Sequence, residues 1–195
     1  MAIMSSLDFW EPIFIIAAVA VAVRGRFRAR AFLITAALIL SINDGLVANS
    51  LKHAVHRLRP FQAVDGVRQI DLAKAKPRIA AIARPLKVTI PGPVADTGQG
   101  RSFPSGHVMD TMTIALLAFL FYPAWGWAAF LVPLVVGYSR IYVGSHYPSD
   151  VVISLFLGAG STLFLACLAE YAWRRSGQRL LPRLHARHPA LFAAV

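Results

Sequence analysis

The sequence predicts an all-α integral membrane protein, a single domain over residues 1–195 built as a helical bundle of about five spans. Three observations predict it. Hydrophobic residues make up 57% of the chain and charged residues 15%, against roughly 45–50% and 25% in a soluble domain. The hydrophobic residues are gathered into blocks at 9–23, 31–51, 104–122, 124–142 and 151–173. Backbone polar groups in lipid must pair within their own segment, so such blocks are helices and not strands. The net charge of +11 lies between and after the blocks. That excludes the nucleic-acid partner such a charge suggests in a soluble chain and suits anionic lipid headgroups or a phosphorylated substrate.

The first block is preceded by Asp8, contains Glu11, and has no Lys or Arg before Arg24. A signal peptide starts basic, so this block reads as a retained membrane segment, spanning or partly interfacial. Arg24, Arg26, Arg28 and Arg30 follow it. The second and fifth blocks reach the ~20 residues of a span, and the third and fourth reach it with their polar ends. Between the third and fourth, Tyr122-Pro123-Ala124-Trp125-Gly126-Trp127 reads as a tight hairpin: Pro and Gly break helices, and the Trp pair suits a membrane interface. Residues 61–103 form an extramembrane insertion with the turn signals Asp65-Gly66, Lys76-Pro77 and Pro91-Gly92-Pro93. Within it, 71–84 fits a basic amphipathic surface helix or a solvated loop equally. A basic tail occupies 174–195, with His185 and His188 as surface residues. Cys167 reads as an inert packing residue and has no intrachain partner for a disulfide. Five spans put the termini on opposite sides, and the positive-inside rule gives 24–30 and the tail to the cytoplasm.

The polar ends of the blocks carry three clusters. Lys52 and Arg59 are seven residues apart, which on a continuous helix is one face, with Pro60 stopping the helix. Two cations there hold a phosphate or simply snorkel to the interface. Ser105 and Gly106 open the third block, where free amides make an anion site, and His107 just inside is placed to donate a proton to a leaving oxygen. The bland alternative is a capped helix start, with Ser102 or Ser105 as cap. His146 and Asp150 stand at i and i+4, so that a helical turn brings them into hydrogen-bond reach. Asp150 then fixes the imidazole tautomer, leaving the other nitrogen to attack phosphorus, while Arg140 adds a third cation. The alternative is a His–Asp pair capping the last helix. With alternating helices all three clusters fall on one membrane face, an agreement that the motif spacing does not force.

These residues resemble the signature of the type 2 phosphatidic acid phosphatase superfamily. The pattern K-x6-R-P, then P-S-G-H, then S-R-x5-H-x3-D reads here as Lys52 to Pro60, Pro104 to His107 and Ser139 to Asp150. The resemblance implies a helical membrane bundle, often of six spans, and a metal-independent hydrolase with no cofactor. It implies His146 as nucleophile, Asp150 as its partner and His107 as general acid. It assigns Lys52, Arg59, Ser105, Gly106 and Arg140 to the substrate phosphate. The expected substrate is a lipid phosphate or diphosphate, of the undecaprenyl diphosphate, phosphatidic acid or phosphatidylglycerophosphate class. The expected location is the inner membrane, with the site on the extracytoplasmic face.

Other polar residues carry weaker signals. His53 and His56 lack the acidic or thiol company of a metal site. The sequence also has no tight acidic cluster for Mg²⁺. Asp44 and Asp110 lie within apolar blocks. Asp44 is placed to brace Lys52 with Asn43 and Asn49, or to make a structural interhelical hydrogen bond. The same residues also serve a lipid phosphotransferase. A vanadate-dependent haloperoxidase shares the anion pocket, but membrane embedding and Asp150 argue against it. A non-enzymatic lipid binder or transporter leaves the nucleophile, orienter and acid unexplained.

Overall fold

The computed structural model describes residues 7–72, 85–90 and 101–192. All five apolar blocks fold as helices. α1 (Leu7–Arg24) packs against α2 (Phe27–Ile42). The helix of α2 continues through a wide π turn over Asn43–Ala48 into α3 (Asn49–Val55). α4 (Pro60–Ala63) is a single turn. α5 (Gly106–Phe121) is the centre of the bundle and packs on α2, α7 (Leu131–Tyr142) and α8 (Pro148–Leu180). α6 (Pro123–Gly126) and a 3-10 turn (Trp127–Phe130) make the link between α5 and α7, so the predicted hairpin is a helical corner with Trp125 and Trp127 exposed on it.

Phe27–Ala63, Pro123–Tyr142 and Pro148–Leu180 are long and apolar enough to cross a membrane. α5 has 16 residues, and α1 holds Asp8, Glu11 and Arg24 among its 18. The outward faces remain apolar, with Phe14, Leu38, Leu134, Phe156 and Phe164 exposed. A water-soluble fold would bury such a surface, whereas lipid solvates it. Inside, Ala31, Ala36, Ile39, Leu117, Phe121 and Ala166 form the core. Gly158 lets α8 approach α5 closely: a Cβ there would sit 3.0 Å from the Met109 carbonyl oxygen.

A buried polar cluster ties three helices. Asn43, at the start of the π turn, donates to Thr113 Oγ1 on α5 (3.0 Å) and to Thr162 Oγ1 on α8 (3.3 Å), and the two threonines lie 2.9 Å apart. The interhelical hydrogen bond expected of Asp44 is thus made by its neighbour Asn43. Asp44 instead lies 3.9 Å from the Lys52 ammonium.

Four expectations are corrected, along α8 and its C-terminal continuation and in the insertion. Arg174 does not begin a tail: α8 runs 33 residues, roughly 50 Å at 1.5 Å per residue, and carries the basic residues with it. The chain then folds back through α9 (Pro182–Arg187). His185 is buried, and His188 stacks on Phe27 with ring centroids 4.1 Å apart. Neither is a surface residue. Cys167 is exposed on the outer face of α8 and packs no core. In the insertion, β1 (Gln69–Asp71) pairs antiparallel with β2 (Lys87–Thr89), Ile70 opposite Val88. The ribbon is pinned to the bundle by the Ile70 amide on the Val143 carbonyl (3.4 Å). Asp71 is therefore in a strand. The rest of the predicted amphipathic helix, from residue 73, and Lys76-Pro77 and Pro91-Gly92-Pro93 lie outside the described residues.

Candidate active site

The three sequence clusters meet at one end of the bundle: Lys52 is in the last turn of α3, Ser105 precedes α5, Arg140 is in the last turn of α7, and Asp150 is in the first turn of α8. Lys52 reaches the start of α5. A Cβ on Gly106 would lie 3.6 Å from its ammonium, so an anion at these amides has the cation beside it. Ser105 is the N-cap residue of α5, yet its side chain caps nothing. Its amide donates to Ser154 Oγ (2.8 Å), while its own buried Oγ has no hydrogen-bond partner. A buried hydroxyl without a partner is costly, and here it stands where the anion site is expected.

Lys52 and Arg59 do not share a helix face. α3 ends at Val55 because His56 takes a left-handed conformation (φ 49°). Arg59 then re-enters as the N-cap of α4, with Pro60 at the first helical position. Pro60 thus begins a helix and does not stop one, as its fixed φ allows. His53 and His56 sit 6.4 Å apart by ring centroids. Among the described residues no three His, Cys, Asp or Glu side chains gather into a metal-binding group.

The second departure concerns His146. It lies in the turn between α7 and α8, before helical geometry begins at Pro148, so the i, i+4 contact does not form. Its Nδ1 lies 2.5 Å from the backbone carbonyl oxygen of Ser102. A carbonyl only accepts, so Nδ1 carries the proton and Nε2 keeps the lone pair. Asp150 faces other partners: its Oδ2 accepts from Ser102 Oγ (2.6 Å) and from the Tyr147 amide (3.2 Å), and its Oδ1 from Arg57 Nη1 (2.6 Å). It is fully buried. The turn that carries His146 depends on Gly144 (φ +74°), where a Cβ would come within 2.4 Å of the Arg68 carbonyl oxygen.

Burial, at 4% exposure, pushes the His146 imidazole down to about 3, and the Arg140 guanidinium pushes the same way. The Ser102 hydrogen bond opposes them, and the charges of Arg59 and His107 add to the lowering. Neutral imidazole, two guanidiniums and a second histidine therefore share one electrostatic neighbourhood. That arrangement suits a nucleophile held unprotonated among cations that attract an anionic substrate.

Sequence reasoning missed Arg57, Ser149, Tyr147 and Ser154. Arg57 Nη1 also donates to Ser149 Oγ (3.1 Å), and its guanidinium carbon lies 4.1 Å above the Tyr147 ring. Only the nearness of these residues to the motif positions signalled them. Ser139 is buried with its hydroxyl turned to the Val136 carbonyl (2.7 Å), a helix-internal contact.

Parts of the chain are similar to known proteins. Over 64 residues it is 44% identical to the bacitracin transport permease protein BcrC of Bacillus licheniformis, covering 33% of this chain and 32% of that protein. Over 59 residues it is 42% identical to the undecaprenyl-diphosphatase of Sulfolobus acidocaldarius, covering 30% and 29%. Over 123 residues it is 30% identical to the lipid A 1-phosphatase of Rhizobium johnstonii, covering 63% and 42%. The chain thus spans less than half the length of each of these relatives. No solved structure matches it. The PAP2 superfamily matches residues 30–174, a stretch that holds all three clusters, and the chain belongs to that superfamily.

Proposed function

We propose that this protein is a membrane phosphatase that hydrolyses a lipid phosphate or diphosphate, with His146 as the covalent nucleophile. The observation that carries the reading is the Ser102 carbonyl at His146 Nδ1, which leaves Nε2 as the nucleophilic nitrogen. The Nε2 lone pair attacks phosphorus and forms a P–N bond. The P–O bond to the leaving group breaks, and His107 gives that oxygen its proton, a role worth ~10²–10⁴ in rate. Water then attacks the phosphohistidine, His107 takes its proton, and inorganic phosphate leaves with the imidazole restored. Lys52, Arg59, Arg140, the Gly106 amide and the Ser105 hydroxyl hold the phosphoryl oxygens. No step in this scheme needs a metal ion.

Relatives named as undecaprenyl-diphosphatase and lipid A 1-phosphatase support a lipid diphosphate or a lipid-linked phosphate monoester as substrate. The basic residues Arg24 to Arg30 support a cytoplasmic side for the loop at the far end of the bundle, and hence an extracytoplasmic site in the inner membrane. The test is phosphate release by the purified protein in EDTA from a panel of undecaprenyl diphosphate, phosphatidic acid, phosphatidylglycerophosphate and lipid A, beside His146→Ala. Release by the wild type, lost in the variant, is expected. Activity that survives His146→Ala, or that EDTA abolishes, would defeat the scheme. Transfer of the phosphoryl group to a second lipid without phosphate release would make the protein a phosphotransferase.

A further inference from the structure

Ser102 uses all of its polar groups, each toward a different segment. Its amide donates to the Arg57 carbonyl oxygen (2.8 Å), its hydroxyl donates to Asp150 Oδ2 (2.6 Å), and its carbonyl faces His146 Nδ1 (2.5 Å). Arg57 closes the circuit by donating from Nη1 to Asp150 Oδ1 (2.6 Å). The three contacts make a closed ring through Arg57, Ser102 and Asp150. One member follows α3, one precedes α5 and one lies in α8, so the ring joins the chain segments that carry the three clusters.

We propose that Arg57 and Ser102 are positioning residues: with Asp150 they hold the Ser102 carbonyl in the place that fixes the His146 tautomer and aims Nε2 at phosphorus. This rests on the phosphohistidine reading above. Asp150 acts on His146 through Ser102 and not by direct contact. The ring is built to be rigid. Ser102 and Asp150 are fully buried, and the carboxylate accepts from a guanidinium, a hydroxyl and an amide, bonds that are short and strong because one partner is charged. Arg57 turns its Nη1 to this task. Its Nη1 is shared between Asp150 and Ser149, and one face of its guanidinium lies on Tyr147.

The experiment uses the purified full chain in detergent and compares wild type with Ser102→Ala, Ser102→Thr, Arg57→Gln and His146→Ala. Four quantities are read: kcat, KM, inhibition by vanadate, and the ¹⁵N spectrum of His146. Ser102→Ala keeps the carbonyl but removes the hydroxyl that locates it. Misplacement of a reacting group by about 1 Å costs on the order of 10²-fold. A kcat loss approaching that size is expected, with KM and vanadate inhibition unchanged. The single Nδ1–H tautomer of the wild type should become a mixture, and Ser102→Thr should restore both readouts. Arg57→Gln, at a side chain 39% exposed, tests the ring where the fold tolerates change. It should lower kcat in the same way, and a variant combining Ser102→Ala with Arg57→Gln should lose less than the product of the single losses. Wild-type kcat with a single tautomer in Ser102→Ala and Arg57→Gln would overturn the proposal. So would a raised KM and weaker vanadate inhibition with kcat intact, since Arg57 would then be a phosphate ligand. Activity surviving in His146→Ala would defeat both the ring's purpose and the phosphohistidine reading. An inactive His146→Ala beside a fully active Ser102→Ala would defeat the positioning role alone.

Discussion

His146 Nδ1 faces the Ser102 carbonyl oxygen at 2.5 Å, and Asp150, four residues along the chain, bonds the hydroxyl of the same serine. A backbone carbonyl cannot accept the proton outright as a carboxylate can. It fixes the tautomer while leaving the imidazole without a neighbouring base. The Asp150 charge is neutralised elsewhere, by Arg57.

This predicts an unusual titration. An unfolded imidazole takes its proton near 6.5, whereas burial and Arg140 hold His146 down to about 3. Its NMR signals should therefore report a neutral, Nδ1-protonated ring from pH 8 to pH 5. Unfolding takes up a proton between these two values, so this residue's contribution to stability is present above about 6.5 and is lost as pH falls toward 3. Thermal unfolding in detergent should show that loss diminished in His146→Ala. A ring that titrates near 6.5 in the folded protein would refute the assignment.

Ser105→Ala should separate binding from folding. The hydroxyl is buried and makes no hydrogen bond within the protein, so its removal should leave the unfolding temperature unchanged or raised. A hydrogen bond to a charged oxygen is worth about 1.5–3 kcal/mol, so vanadate inhibition should weaken by roughly 10–100-fold. Loss of stability with inhibition unaltered would show instead that Ser105 serves the fold.

Asn43→Ala should do the reverse. Asn43 bridges Thr113 and Thr162 far from His146 in the sequence, and the two threonines still bond each other without it. Interhelical hydrogen bonds in membranes average about 0.6 kcal/mol, with a maximum near 1.7. A loss of roughly 1 kcal/mol is expected in a detergent or denaturant titration, with kcat unchanged. A collapse in kcat would place Asn43 in the catalytic machinery.

The helices and the convergence of the clusters were legible because both follow from simple periodicity and alternation. The apolar blocks mark the helices, and their polar ends gather on one face once successive helices reverse. What stayed hidden depended on departures from helical geometry. The seven-residue spacing of Lys52 and Arg59 assumed a helix that His56 ends with a left-handed residue. The four-residue spacing of His146 and Asp150 assumed a helix that starts two residues too late, at Pro148. In both cases the residue types fit the chemistry while the geometry linking them is new. The β1–β2 ribbon was invisible because three residues per strand carry too little alternation to read. Ser102 was read only as a helix cap and Arg57 was passed over, because their contacts with Asp150 join residues 48 and 93 positions apart, which no local spacing marks.

The wide turn over Asn43–Ala48 sets the phase of everything beyond it. In a regular α-helix each residue advances roughly 100°, so Asn43 and Lys52, nine residues apart, would point roughly 180° apart. The π turn absorbs about one residue and reduces that angle to roughly 80°. One helix can then offer α5 an amide deep in the bundle and an ammonium at its mouth. Straightening the turn into a regular helix of the same length would swing Lys52 by roughly 100° away from its present direction, leaving every motif residue in the sequence and the anion site short of a charge, whereas deleting one residue between 43 and 48 would remove the π turn and keep the phase.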